Sequence, residues 1–280
     1  MVYPLVESGS LRLAEFRCSP SHPSWSAENF IGPLPHLVFP GTPVGITRGD
    51  IGRQVQDRNW VVFYPRGQPY RRDVVHPAGD VCSYVEMSPE LLDDIFSRRQ
   101  HAARILQTGR ARLSPHAWMA YQLVLTRARR GEMSDPSVVE NLIADILDAA
   151  DVTPDPALVD RDPSTSRRPV RDTVNAACQL GGLRLSERLQ LDDVAEAVNV
   201  SPFHLARLFR ATTGTTLHSY REQLRLRTAC ALLAEPDARL TDIAQRTGFF
   251  SHSHLTTRFS RSFGMSPSTA REMMQAQITQ

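Results

Sequence analysis

Two segments of the chain, 50 residues apart, carry side chains that could contact nucleic acid. In each segment polar or basic residues alternate with regularly spaced apolar ones, and neither segment contains an acidic residue. Arginine can donate two hydrogen bonds to guanine, and Ser, Thr and His can meet base edges or phosphates. The candidate contact residues are Phe203, Ala206, Arg207, Arg210, His252, Ser253, His254, Thr257, Arg258 and Arg261.

Both segments belong to a longer pattern that is written twice. Residues before a central turn have counterparts 49 positions later, and residues after the turn have counterparts 50 positions later. The pairs are Leu191 with Leu240, Asp193 with Asp242, Val194 with Ile243, Ala195 with Ala244, Leu205 with Leu255, Phe209 with Phe259 and Gly214 with Gly264. The second turn is therefore one residue longer than the first.

Each copy predicts two short helices joined by a tight turn. The turn falls at Asn199, which tolerates positive φ, or at Gly248. A hydroxyl N-cap, Ser201 or Ser251, opens the second helix, and a glycine closes it. Such a pair is a helix-turn-helix, whose second helix fits the major groove of DNA. The alternative is two ordinary hairpins in an all-helical core, but two copies with acid-free second helices favour the first interpretation.

About 100 of the 280 residues resemble the AraC/XylS family of transcriptional regulators. Residues 201–214 are similar to the family's first recognition helix, residues 220–233 to its connecting helix, and residues 243–271 to its second-motif signature. The resemblance implies a sequence-specific DNA-binding transcription regulator, most often an activator, that responds to a small molecule or another signal at its N-terminal domain. The implied partners are double-stranded DNA, a small-molecule effector, a second copy of the chain and RNA polymerase, with no cofactor and no membrane.

The same resemblance assigns roles to the candidate contact residues. Phe203, Ala206 and Arg207 correspond to base contacts of the first helix. The base contacts of the second helix correspond to His252, Ser253, His254 and Thr257. The candidates for phosphate contacts, or for steering next to the bases, are Arg210, Arg258 and Arg261. Arg207 is the first candidate for specificity, because the methyl group of Ala206 offers only apolar contact, for instance to a thymine methyl.

One helix is predicted to join the two motifs, over residues 217–234. Its length would be about 18 residues, or about 27 Å at the α-helical rise. A rod of that length could hold two recognition helices about one turn of DNA apart, which is about 34 Å.

Residues 1–87 contain short β-prone runs separated by Gly and Pro, which predict a small antiparallel barrel or sandwich. In the family's layout this position holds a cupin-like sensory domain. The aromatic side chains that could line an effector site are Trp60, Phe63, Tyr64 and Tyr70, although aromatic residues in strands are more often simple core. The potential metal ligands His36, His76, Cys82 and Glu86 lack the His-x-His spacing of metal-holding cupins, so no metal site is predicted.

Residues 88–150 change to a helical period, with helices predicted over about 89–107, 115–130 and 136–150. The third helix carries an apolar stripe that contains Val139, Leu142, Ile143 and Ile146. This stripe could pack on the barrel or form a dimer contact. Residues 151–169 are rich in proline and predict a linker, so residues 170–280 form the DNA-binding domain. The fold class is therefore α+β, with a cupin-like barrel, following helices, a linker and an all-α domain with two helix-turn-helix motifs.

Composition excludes some kinds of chemistry. The chain has no lysine among its 32 basic residues, so it lacks the amine needed for a Schiff base or a GxxxxGK phosphate loop. The four cysteines show no metal spacing, and no apolar run reaches about 18 residues, which predicts a soluble cytoplasmic protein. The remaining alternatives to a regulator are a metal-dependent cupin enzyme and a partner-binding module without DNA contact, and neither has a supporting motif. We therefore expect that the protein is not an enzyme.

Overall fold

The computed structural model describes residues 1–49, 52–98, 109–133, 135–148, 150–151 and 168–276. The strands of the described part are β1 Val2–Glu7, β2 Leu11–Cys18, β3 Asn29–Phe30, β4 His36–Pro40, β5 Val44–Arg48, β6 Gly52–Gln56, β7 Val61–Tyr64, β8 Pro69–Asp73, β9 Asp80–Met87, β10 Arg110–Leu113 and β11 Ala150–Asp151. The helices are α1 Pro89–Arg98, α2 Pro115–Arg129, α3 Pro136–Asp148, α4 Arg168–Leu183, α5 Leu191–Ala197, α6 Pro202–Thr213, α7 Leu217–Leu232, α8 Leu240–Arg246, α9 His252–Phe263 and α10 Pro267–Gln275.

The strands form two sheets. One has seven strands in the order β1-β2-β9-β4-β7-β10-β11, and the other has four in the order β3-β8-β5-β6. Strand β9 lies inside the larger sheet, where Val85 pairs with Leu13 on one side and with Leu37 on the other. The described strands therefore make a mixed α and β fold with two sheets, and they do not close into one barrel.

Strand β9 is buried on both of its faces. Successive side chains of a strand point to opposite faces, so Asp80, Cys82, Tyr84 and Glu86 share one face and Val81, Ser83, Val85 and Met87 share the other. The first set lines a cavity together with side chains of the four-stranded sheet. On the other face, Val85 and Met87 belong to a core that contains Trp118 and Tyr121 of α2.

Local capping starts the helices that follow β9, as predicted. Helices α1, α2 and α3 begin at Pro89, Pro115 and Pro136. The hydroxyl of Ser114 accepts the backbone N–H of Ala117 at 3.1 Å, and proline at the first helical position has no N–H that needs a partner.

Three elements differ from the sequence prediction. Residues 150–151, predicted as the end of a helix and the start of the linker, form strand β11, which pairs antiparallel with β10. Residues 110–113, which were expected to connect two predicted helices, form strand β10, which pairs antiparallel with β7. Gly181 and Gly182, expected to end a helix, lie inside α4. A Cβ on Gly182 would come within 2.9 Å of Pro43 Cγ, so this glycine allows the helix to pack closely against the chain after β4.

Two hydrophobic cores connect the sheets with the C-terminal helices. One core joins the larger sheet and α2 to Leu226 and Cys230 of α7 and continues to Phe263 of α9. The other joins β5, β6 and β7 to α4, α5 and α6, and reaches Tyr220 of α7. Helix α7 therefore contributes to both cores. None of the described helices combines the length and the hydropathy that a membrane span requires.

Candidate nucleic-acid interface and effector cavity

The first repeat folds into the helix pair α5 and α6. The turn between them contains Asn199, which has a φ of 55°. The hydroxyl of Ser201 accepts the backbone N–H of His204 at 3.2 Å and so caps α6, which ends at Gly214 with a φ of 71°. These local interactions confirm the predicted turn and both predicted caps.

The second repeat folds in the same way into α8 and α9. Its turn contains Gly248 with a φ of 74°, and the Ser251 hydroxyl accepts the backbone N–H of His254 at 3.1 Å. Helix α9 ends at Gly264, where φ is 75°. The second turn is one residue longer than the first, but the result is the same. In each repeat the turn is followed by an N-capped helix of 12 residues.

Helices α6 and α9 each bury one apolar face in the core and expose the opposite face to solvent. Leu205 and Phe209 of α6 are buried, as are Leu255 and Phe259 of α9. On the outer face of α6, four predicted contact residues are exposed: Phe203, Ala206, Arg207 and Arg210. Phe203 has a relative exposure of 82%, which is unusual for an aromatic side chain and leaves it available to a partner.

Helix α9 presents five of its six candidates to solvent: His252, Ser253, His254, Thr257 and Arg261. Arg258 differs from them. Its Nε donates to Glu222 Oε1 on α7, and the side chain is only 30% exposed. This ion pair compensates the charge of Arg258, so Arg258 is the weakest of the three candidates for a phosphate contact.

One exposed aromatic residue was missed by the sequence analysis. Phe250 lies immediately before Ser251, with a relative exposure of 96%, while its neighbour Phe249 is buried. Two adjacent phenylalanines in the sequence do not show which one points inward, because that depends on the path of the turn. Phe250 therefore extends the exposed surface at the start of α9.

Helix α7 positions both helix pairs. It has 16 residues, and its length of about 24 Å is slightly shorter than predicted. Arg221 donates to the backbone oxygens of Arg184, Glu187 and Leu189 at 2.9–3.1 Å, which fixes the segment between α4 and α5. A single guanidinium with five donors can satisfy several carbonyls at once, so it holds this segment against the connecting helix.

A cavity of about 270 Å³ lies between the two sheets. Its apolar lining includes Phe16, Val38 and Ile46, and its polar lining includes Arg12 and Glu86. Arg12 Nη2 lies 2.5 Å from Glu86 Oε2, and His36 Nε2 lies 2.8 Å from Glu86 Oε1. The cavity therefore combines apolar walls with one internally paired polar cluster, which is typical of small-molecule sites.

Two of the four predicted effector residues line this cavity, namely Tyr64 and Tyr70. Trp60 and Phe63 are not among its lining residues. In β7, Phe63 points to the opposite face from Tyr64 and belongs to the core with α2. Trp60 lies just before β7, and its Nε1 donates to the hydroxyl of Tyr220 at 3.0 Å. Both side chains are thus structural parts of the packing around α2 and α7.

Burial favours the uncharged forms of three side chains of the cavity, His36, Tyr70 and Cys82. Desolvation lowers the pKa of His36 below its usual value although Glu86 opposes this effect, and it raises the pKa of Tyr70 to about 12. Desolvation and the nearby Asp80 also raise the pKa of Cys82 well above its usual value. A thiol with such a pKa is a poor nucleophile, which agrees with the absence of a second nearby cysteine in the sequence.

The predicted dimer stripe is only partly described. Val139 and Ile143 of α3 are fully buried in the core shared with α2, so their own chain already covers them. The side chains of Leu142 and Ile146 lie outside the described residues. On the same helix, Val138 is 50% exposed.

Residues 194–273, which span α5 to α10, match the sequence model of a helix-turn-helix domain. Over 90 residues the chain is 34% identical to the probable transcription factor PqrA of Proteus vulgaris, a match that covers 32% of this chain and 74% of PqrA. Over 87 residues it is 38% identical to the transcriptional activator RhaS of Escherichia coli O139:H28, covering 31% of each protein.

Over 117 residues the chain is 26% identical to AdaA of Bacillus subtilis, a bifunctional transcriptional activator and DNA repair enzyme, covering 42% of this chain. The chain spans 56% of the length of AdaA and 31% of RhaS. The matched region defines a protein with a helix-turn-helix domain. The chain belongs to the AraC/XylS family.

Proposed function

We propose that the protein is a DNA-binding transcription regulator, and an activator, whose α5/α6 and α8/α9 pairs are two helix-turn-helix motifs. One observation carries this proposal. Helices α6 and α9 expose equivalent faces without acidic residues, and helix α7 connects the two helix pairs to which they belong. The two helices would enter successive major-groove segments on one face of the duplex. RNA polymerase would then be a partner at the promoter.

Selection of bound duplexes from a random DNA pool by the full chain tests the proposal. The expected result is a motif of two segments about one helical turn apart. Fluorescence anisotropy on the selected and scrambled duplexes should show a preference for the selected DNA at every salt concentration, although both affinities fall as salt rises. Equal affinities for the two duplexes would show that the chain does not read sequence.

Replacing Arg207 with alanine tests the assignment of the main specificity residue. Arg207 is exposed on the N-terminal half of α6, six residues after the N-cap Ser201, where side chains of a recognition helix reach base edges. We expect the Arg207→Ala variant to lose about 1–3 kcal/mol on the selected duplex and to relax the preference at one base position. The preference is measured by anisotropy on duplexes that carry each base at that position.

Arg210→Ala is the matched control for this experiment, because it removes an exposed arginine from the same helix. As a phosphate contact, Arg210 should contribute similarly on all sequences, so its removal should weaken binding uniformly and reduce the salt dependence. If Arg207→Ala behaves like Arg210→Ala, Arg207 contacts phosphate and the assignment is wrong.

Strands β1–β9, within residues 1–87, are proposed to form a cupin-like sensory unit. The helical segment of residues 88–150 and the linker of residues 151–169 are proposed to follow it. The cavity between the sheets is the proposed effector site, with Tyr64 and Tyr70 in its wall. A regulator needs no catalytic group, and Glu86 is already engaged by Arg12 and His36. This supports a binding site over a metal-dependent enzyme.

Dimerisation through α3 is a separate proposal. The apolar stripe that the sequence predicts for this helix includes Leu142 and Ile146, which are four residues apart. Aspartate at both positions 142 and 146 should therefore give a folded monomer in analytical ultracentrifugation. Leu183→Asp, at a leucine of α4 that is 43% exposed, should leave the dimer intact. A dimer that survives the double substitution would exclude this face.

A further inference from the structure

A second cavity, of about 430 Å³, lies on the opposite side of the seven-stranded sheet from the proposed effector site. Its floor includes Phe39 of β4 and Ser83 of β9, and α2 forms one wall. Another wall is formed by Ala231 and Leu232 at the end of α7 and by residues 234–236, which follow the helix. The cavity therefore lies between the sheet and the helix that connects the two helix pairs.

The acidic groups of this cavity already have partners. Arg129 donates to Glu15 Oε1 through two nitrogens, the Nε at 3.1 Å and the Nη2 at 2.5 Å. Glu235 is paired with Arg246, which approaches it at 2.9 Å and is not a lining residue. Both carboxylates are therefore already ion-paired with arginines other than Arg58.

Arg58, which also lines the cavity, is a cation with poor compensation. Within the described part of the chain no carboxylate lies within 4.0 Å of its guanidinium, and its side chain makes one long hydrogen bond, from Nη1 to Thr228 Oγ1 at 3.4 Å. Desolvation lowers the pKa of Arg58 to about 10, although the charges of Asp57 and Glu235 oppose this effect without forming an ion pair with the guanidinium. The side chain remains charged at neutral pH and would be stabilised by an anion.

The rest of the lining is apolar and aromatic. Phe39 and Tyr121 stack with ring centroids 3.7 Å apart, and Trp118 and Leu125 extend the wall. Gln122, which is buried, is the uncharged polar residue of α2 on this wall. An inorganic anion would satisfy the arginine and leave the apolar wall unused.

We propose that this cavity binds an organic anion, a carboxylate attached to an aromatic or branched apolar group, with Arg58 as its counter-ion. The carboxylate replaces the missing partner of Arg58, and the apolar group packs against the aromatic wall. The backbone oxygen of Arg58 accepts a hydrogen bond from Arg227 Nη1 of α7 at 2.8 Å. A bound ligand would thus contact the sheet and the connecting helix together, at a place separate from the proposed effector site.

Isothermal titration calorimetry of the full chain tests this proposal, with acetate, isovalerate, phenylacetate and 3-phenylpropanoate as probes. We expect one site per chain, with affinity rising along the series as the apolar part grows. 3-Phenylpropanamide, which has the same shape without the charge, should bind roughly tenfold more weakly or worse. Equal binding of the amide and the carboxylate, or no binding by any probe at 10 mM or below, would overturn the proposal; this concentration is set at roughly the weak end of small-ligand affinities.

Three variants locate the site. Arg58→Gln should lower the affinity for 3-phenylpropanoate roughly tenfold or more, whereas Arg66→Gln removes an exposed arginine and should leave it unchanged. Ala231→Phe keeps every charge and fills the cavity from the α7 side, so it should also abolish binding even if Arg58→Gln fails to fold. Each variant is checked by thermal unfolding before titration. Retained binding in a folded Ala231→Phe variant would contradict the assignment.

Arg12→Gln separates the two cavities, because Arg12 lines the one between the sheets. This substitution should not change the affinity for 3-phenylpropanoate. If Arg12→Gln abolishes binding and Ala231→Phe does not, the anion occupies the proposed effector site and the second-site proposal is wrong.

Discussion

Replacing Tyr220 with phenylalanine should lower the free energy of unfolding by about 2–4 kcal/mol, although it removes a single oxygen atom. The Tyr220 hydroxyl donates to Asp57 Oδ2 at 2.7 Å and accepts the Nε1–H of Trp60 at 3.0 Å. All three residues are buried. The variant leaves a buried carboxylate and a buried indole N–H without this partner, and no water can reach them at low cost.

The measurement is urea unfolding followed by tryptophan fluorescence. Tyr3→Phe is the matched control. Tyr3 is 42% exposed, and among the described residues its hydroxyl donates only to the Met1 sulfur, at 3.6 Å, so the loss of this hydroxyl should change stability by less than about 0.5 kcal/mol. A Tyr220→Phe variant as stable as the wild type would show that the contact between the turn after β6 and α7 does not form in solution.

The Gly248→Ala variant is expected to lose about 3 kcal/mol of stability and to weaken DNA binding. Gly248 has a φ of 74°, which costs an L-residue about 1 kcal/mol or more. Space is also lacking, since an added Cβ would lie 2.7 Å from the backbone oxygen of Ser186. Relief of that clash requires a movement of the turn, which would change the angle between α8 and α9.

Gly67→Ala separates the two contributions, because Gly67 has a φ of 67° and no heavy atom within 4 Å of an added Cβ. That control should lose about 1 kcal/mol, the cost of the left-handed conformation alone. Both variants are measured by denaturant unfolding, and Gly248→Ala also by anisotropy on the selected duplex. Equal losses in the two variants would mean that Ser186 moves away without cost.

The parts of the fold that depend on neighbouring residues could be predicted from the sequence. Ser201, Ser251, Gly214 and Gly264 cap their helices as expected, because capping involves residues only three or four positions apart. The start of α2 at Pro115 could be predicted for the same reason, because it depends on the adjacent N-cap Ser114.

The parts that depend on distant partners could not be predicted. Strand β10 forms because β7 offers an edge to residues 110–113, which lie about 50 positions away. The ion pair of Arg258 with Glu222 and the outward direction of Phe250 also depend on tertiary packing. For the effector site, the aromatic residues were visible in the sequence, but only strand register placed Tyr64 in the cavity and Phe63 in the core.

The connecting helix has consequences for any attempt to prepare the DNA-binding region alone. Buried residues lie all around α7, and several of them contact the N-terminal half: Tyr220 through Asp57, Arg227 through Arg58, and Cys230 through Met119, whose sulfur lies 3.8 Å from the thiol. A fragment that begins at α4 would expose this side of the helix to solvent, together with the thiol of Cys230. The exposed surface would favour aggregation, and the thiol could be oxidised. Such a fragment should need substitutions on α7, for example Cys230→Ser, to remain monodisperse at the concentrations used for crystallisation or NMR.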